Sequence, residues 1–232
     1  MLERQRMRLV VTALTLVASG CYATLPPQLA EGTEVLRSGG VKLAVSGGAA
    51  TFQARDRTGA WNGLTAGGFE ARLRTGIGDR QELGASLFGG AGTSVGGDAP
   101  LVVGGKLAYK IAPTPWLAIV AGGGVMDWAS SSTLVFSGDL ALVAAAYTSA
   151  HGTQVYVGGK AAFALPVLNG SIAVNESLVA PIGVATPAGE RATFYVEGGP
   201  IFGFAEQFES GTSSATWGVG PYAAMAFSFQ FR

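Results

Sequence analysis

From Val41 to the C-terminus, apolar and polar side chains alternate with a period of two. The clearest stretch is Phe69-Glu70-Ala71-Arg72-Leu73-Arg74, where an extended backbone sends the apolar and the charged side chains to opposite faces. Gly78-Asp79-Arg80 then supplies a turn. Beyond it Leu83, Ala85 and Leu87 resume the apolar face, with Glu82, Gly84 and Ser86 opposite, so the two runs form a β-hairpin. Reading on in the same way predicts ten strands, near 41–54, 63–77, 81–92, 100–111, 115–126, 134–147, 153–165, 176–186, 191–204 and 216–231. Each reaches the roughly 9–11 residues that a tilted strand needs to cross a bilayer, where strands of soluble sheets more often run about five or six.

The connections sort into two classes. Gly78 to Arg80, Ala112 to Pro115, Thr148 to Gly152 and Thr186 to Glu190 are short. The segments around Trp61, Val95, Ser131, Gly170 and Gly211 read as longer and polar, and the two classes alternate. Outer-membrane barrels have short periplasmic turns and longer external loops, which predicts both termini on the periplasmic side. On the apolar face Leu73, Leu87, Leu107, Leu140, Val157, Ile182, Phe194 and Phe229 are expected to contact lipid. On the other, Glu70, Arg72, Arg74, Glu82, Lys106, Asp139, Lys160 and Glu197 are expected to point into a polar lumen. Trp61, Trp128 and Trp217 fall at the outer ends of strands or in adjoining loops, and Trp116 at an inner end, as aromatic girdles require.

Composition narrows the class. The chain holds 36 glycines among 232 residues, 13% charged residues and a mean hydropathy of +0.36. That is too apolar for an ordinary soluble domain and too glycine-punctuated for a helical membrane protein. After the N-terminus no apolar run approaches the roughly 20 residues of a spanning helix, so a bilayer can be crossed only by a closed barrel. The net charge is zero with no lysine or arginine run, which excludes the electrostatic footprint of a nucleic-acid binder.

The N-terminus reads as a targeting segment. Arg4, Arg6 and Arg8 precede an apolar stretch from Leu9 to Ser19, and small residues lead into Cys21. Val17-Ala18-Ser19-Gly20-Cys21 resembles the lipobox of bacterial lipoproteins, which implies lipid attachment at Cys21; ordinary cleavage after Ala23 is the alternative. Tyr22 stands where an aspartate commonly retains lipoproteins in the inner membrane, so the resemblance directs the anchor outward. The organisation expected is thus a signal peptide over 1–20, a lipid-anchored periplasmic tether over 21–40, containing Pro26-Pro27, and a barrel over 41–232. The chain ends Phe227-Ser228-Phe229-Gln230-Phe231-Arg232. This resembles the C-terminal signal read by the outer-membrane assembly machinery, except that Arg232 follows the last aromatic.

Taken together, Val41 to Phe231 looks like the small bacterial outer-membrane β-barrel proteins, in the variety that begins with a lipoprotein signal. The resemblance implies an all-β, antiparallel up-and-down transmembrane barrel of about ten strands in the outer membrane. It implies almost nothing about molecular function.

Candidate chemistry is sparse. Enzymes of this barrel class use a histidine near the outer rim, but the one histidine, His151, lies in the turn Ser149-Ala150-His151-Gly152 with no acidic residue to orient it. No catalytic residue and no cofactor are therefore expected. A single cysteine and a single histidine leave only carboxylates for a metal, and Asp98, Asp127, Glu176, Glu206 and Glu209 are spread over different predicted loops. Gly122-Gly123-Gly124 and Gly89-Gly90-Ala91-Gly92 lack the helix and the Gly-Lys-Ser/Thr ending of a phosphate loop and suit strand bends. The sequons at Asn169 and Asn175 carry no information in a chain with a bacterial lipobox. What remains is the set of lumen charges, read either as a salt-bridged barrel core or as a lining for a solute. The expected function is a non-enzymatic barrel with a structural or surface-interaction role and a largely plugged lumen. The alternatives are a narrow pore for small solutes and a tethered, lipocalin-like binder of apolar ligands. The partners expected are the lipid bilayer and the assembly machinery; oligomeric state is open.

Overall fold

The computed structural model describes residues 32–55, 61–92, 101–128, 133–168, 171–209 and 212–231. The regular structure among them is β throughout: β1 (Val41–Arg55), β2 (Trp61–Gly78), β3 (Gln81–Gly92), β4 (Leu101–Thr114), β5 (Leu117–Trp128), β6 (Thr133–Thr148), β7 (Gln154–Leu168), β8 (Ser171–Val179), β9 (Ile182–Pro187), β10 (Ala192–Glu209) and β11 (Thr212–Phe231). Among the described residues no helix is long and apolar enough to cross a membrane. Neighbours in sequence pair antiparallel, and β11 pairs with β1 from Val41↔Phe231 onward, which closes the sheet and removes its edges.

β8 and β9 are two halves of one strand. Both pair with β7 on one side and with β10 on the other, in an unbroken register. Between them Ala180 N–H donates to the Pro200 carbonyl at 3.1 Å, and Gly158 N–H donates to the Pro181 carbonyl at 2.9 Å. The wall therefore has ten strands, the number the alternation predicts. The interruption comes from proline, which has no N–H to return to the ladder. Pro181, Pro200 and Pro221 sit on adjacent strands, with Pro200 directly opposite Pro221. Beside them the β1–β11 ladder skips from Ala50↔Tyr222 to Gln53↔Val219. A side chain at Gly199 would run into the Ala180 carbonyl oxygen, so the wall can turn here only on glycine.

The strands are staggered. Following ladder partners from Asp139 through Gly122, Ala108, Gly84, Arg74 and Lys42 arrives at Gln230. Going the other way, through Ala162, Ser177 and Gly203, arrives at Gly218, twelve residues away on the same strand. Such a stagger tilts the strands against the barrel axis. Side chains at one height in the lumen are consequently not ladder partners.

One expectation about the connections fails. The segments around Gly170 and Gly211, read as long loops, leave only positions 169–170 and 210–211 between strands, because β7–β8 and β10–β11 run on as hairpins. The backbone ladder continues there from Val167↔Ile172 to Leu168↔Ser171 and from Phe208↔Ser213 to Glu209↔Thr212. Asp127, Glu176, Glu206 and Glu209 accordingly lie within strands.

Candidate functional site: the lumen

The eight charged side chains expected inside do face the lumen, and they fall into three groups. The first is a ring. Arg72 donates to Glu70 through Nη2 at 2.6 Å and Nε at 3.2 Å. Lys106 Nζ reaches Asp139 Oδ2 at 2.9 Å and Glu70 Oε1 at 3.7 Å, while Lys160 Nζ lies 3.5 Å from the same Asp139 oxygen. Four strands, β2, β4, β6 and β7, supply these five groups, and the stagger brings them to one height. The second group is Arg74 with Glu82, 3.5 Å apart and fully buried, nearer the end that carries the short turns. The third is Glu197, which accepts from Tyr156 Oη at 2.8 Å and Tyr222 Oη at 3.4 Å.

Residues 32–40, expected as part of a tether, do something else. The chain ahead of β1 enters the turn end of the barrel and is bonded there from four strands. Lys110 Nζ donates to the carbonyls of Gly32 and Glu34 at 2.9 and 2.7 Å. Glu82 Oε1 accepts Leu36 N–H at 2.6 Å. Gln154 accepts Thr33 N–H at 3.0 Å and returns Nε2–H to Thr33 Oγ1 at 3.1 Å, and that hydroxyl donates to the Pro115 carbonyl at 2.9 Å. Gly39 and Gly40 exchange hydrogen bonds with Gly76 at 2.8 and 2.9 Å. Any side chain at Gly76 would collide with the Arg37 carbonyl, so this strand end must be glycine for the segment to pass. Thr33 and Leu36 are 2% and 5% exposed. The segment is a stopper across the lumen. Sequence periodicity misses it because it is irregular backbone, whose bonds go to side chains of distant strands.

The lumen expected to be polar also holds large apolar side chains. Toward the loops the interior is filled by Phe88, Val102, Met126, Val135 and Ala164, all buried. Toward the turns Val120, Val143, Tyr156 and Tyr195 pack with Ala185 and Ala226. These side chains share the inward phase of their strands with the charges, as Phe88 does with Glu82 on β3, so the phase that identifies one identifies the other.

The remaining expected positions divide. Leu73, Leu87, Leu107, Leu140, Val157, Ile182, Phe194 and Phe229 are all exposed on the outside. Trp116 lies exposed in the turn after β4, and Trp217 is exposed on β11. Trp61 opens β2 and Trp128 closes β5, both at the loop end. Cys21 and the expected signal peptide over 1–20 lie outside the described residues. His151 is exposed in its turn, where Ser149 Oγ accepts Thr153 N–H at 3.0 Å. Among the described residues no group of three histidine, cysteine, aspartate or glutamate side chains could hold a metal.

No protein-family model matches the chain, and no curated protein does. Solved structures that resemble it include an outer membrane channel, COG4313, from Pseudomonas putida F1. It is 15% identical, covering 86% of this chain and 98% of that one, with a TM-score of 0.44. The translocator domain of the autotransporter NalP from Neisseria meningitidis is 8% identical over 86% and 91% of the two chains, with a TM-score of 0.45. The toluene transporter TodX of P. putida is 9% identical over 92% and 94%, with a TM-score of 0.31. At such identities and scores the likeness is one of barrel architecture, and no chemistry is carried across.

Proposed function

We infer that the chain is a non-enzymatic barrel of the bacterial outer membrane whose lumen is closed by its own residues, with a structural or surface-interaction role. The observation that carries this reading is the double obstruction: a ring of interlocked charges at mid-height, and residues 32–37 bonded across the turn end. Support for the membrane comes from the outside of the cylinder, where Leu87, Leu107 and Met225 are more than 60% exposed amid a continuous apolar surface. A soluble monomer rarely tolerates so large an apolar patch. The tethered lipocalin-like alternative needs the reverse arrangement, with charges outside and apolar side chains facing a cavity.

On this reading the turn end is periplasmic, Cys21 carries the lipid, and the Phe227–Phe231 run addresses the assembly machinery. The closed lumen is tested in a planar bilayer. The purified protein gives no steady conductance; a steady, ion-selective channel would overturn the reading in favour of a narrow pore. The anchor is tested by labelling with a radioactive fatty acid. Cys21→Ala loses the label yet stays in the outer membrane, because the apolar belt suffices for retention. Label persisting in that variant would refute the attachment site.

A further inference from the structure

Strand meets strand through backbone bonds, whereas the bonds that seat residues 32–36 use side chains, Lys110, Glu82 and Gln154 from the wall and Thr33 from the segment itself. Backbone pairing with the wall stops at Gly39 and Gly40, which meet Gly76. There Arg37 to Gly40 make a tight turn, closed by Gly40 N–H on the Arg37 carbonyl at 2.9 Å, with Gly39 at a φ of +79° and Arg37, Ser38 and Gly39 exposed. A pivot at this turn leaves the β1–β2 ladder untouched.

The seat has a second arrangement open to it. Glu82 and Lys110 are direct ladder partners, buried on the inward face, which puts their Cβ atoms about 4.5–5.5 Å apart. Yet Lys110 Nζ donates to the Gly32 and Glu34 carbonyls, and Glu82 Oε1 accepts from Leu36. Glu82 Oε2 takes no hydrogen bond among the described residues, its 3.5 Å contact with Arg74 being ionic only. If the segment leaves, the carboxylate and the ammonium can turn to each other.

We propose that residues 32–37 are a hinged lid that swings out about the Arg37–Gly40 turn, and that a Glu82–Lys110 ion pair replaces its bonds in the open state. Two discrete arrangements of one seat make this closure a switch and not a graded loosening. The ring of charges takes no part in the movement, so the open state is a blind cup facing the turn end. The proposal goes beyond the closed-lumen reading: conductance tests that reading, and the reactivity of the segment tests the lid.

The test uses the full chain with its single cysteine replaced, Cys21→Ala, so that one introduced thiol reports on one place to a water-soluble maleimide in detergent micelles. Leu36→Cys reacts at least tenfold faster than Val143→Cys, a buried wall position, and its rate barely changes with urea below the unfolding transition, as a local opening requires. Thr33→Pro removes the N–H and the hydroxyl that seat Thr33 and leaves Glu82 and Lys110 in place. It raises the Leu36→Cys rate at least a further tenfold without moving the urea midpoint of the wall. Lys110→Met added to Thr33→Pro then lowers that midpoint, because Glu82 loses its partner in the open state. The proposal is overturned if Leu36→Cys reacts no faster than Val143→Cys or follows urea as steeply, since the segment then moves only when the wall unfolds. It is overturned equally if Thr33→Pro lowers the midpoint, or if Lys110→Met in that background does not.

Discussion

Asp139→Ala lowers the unfolding free energy by about 3–5 kcal/mol, the cost of leaving a buried charge without its partner. Lys106 and Lys160 share one oxygen of Asp139, at 2.9 and 3.5 Å. Losing it leaves Lys160 without that carboxylate and Lys106 with only the longer contact to Glu70, at 3.7 Å. Urea titration in detergent micelles, read by the gel mobility of the heated and unheated protein, measures the change. Adding Lys160→Met to Asp139→Ala recovers part of the loss, because a buried ammonium that has lost the Asp139 carboxylate is replaced by an apolar chain of similar length. A loss below about 1 kcal/mol, the range of solvent-exposed pairs, would mean that water enters the ring. The plugged-lumen reading would then fail at its centre.

Glu82→Ala has an effect of similar size, about 3–5 kcal/mol, with a different signature. Glu82 faces the Arg74 guanidinium, which is 3% exposed, and accepts the Leu36 amide. Without the carboxylate both lose that partner, and the segment comes off its seat. Hydrogen exchange at Leu36, slow in the wild type, becomes as fast as in an unstructured peptide, while amides of the β3–β4 ladder stay protected. Lys110→Met, which removes the bonds to the Gly32 and Glu34 carbonyls, moves exchange in the same direction. Unchanged protection of Leu36 in both variants would show that packing of Thr33 and Leu36, and not these bonds, holds the stopper.

Much of this wall is legible in the sequence. The alternation at Phe69–Arg74 separates two faces without saying which is inside; the scarcity of charge puts lipid on the apolar one, and the eight charges on the other face do turn inward. Two things resist such reading. Period two gives the face of a residue but not its height, so nothing along the chain says that Glu70, Lys106, Asp139 and Lys160 converge while Glu197 pairs with tyrosines. That depends on a stagger summed over ten ladders. The stopper is hidden for the opposite reason, since it has no period at all. Its signal is only a set of inward polar residues, Glu82, Lys110 and Gln154, at the turn end, where two of the three were never singled out as lumen groups. The short hairpins at 169–170 and 210–211 are obscured by glycine and serine, Gly170-Ser171 and Ser210-Gly211, which read as loop although the backbone ladder runs on through them to the next strand.

The stopper also sets an order of events during assembly. Its bonds join residues separated by 46, 76, 78, 82 and 121 positions in the chain, from Leu36–Glu82 to Thr33–Gln154. Contacts of such long range form only after the intervening chain has given up its freedom, and they weigh on the slow side of folding. The pair with Gln154 requires β7 to be in position, whereas every strand hairpin can form from its neighbour alone. A segment that comes before β1 in the chain thus waits for β7 before it can be fully seated, and only the seam from Val41↔Phe231 to Ala54↔Gly218 joins residues further apart, so an assembling barrel passes through a stage in which β2 to β6 are paired and its inner end is still open.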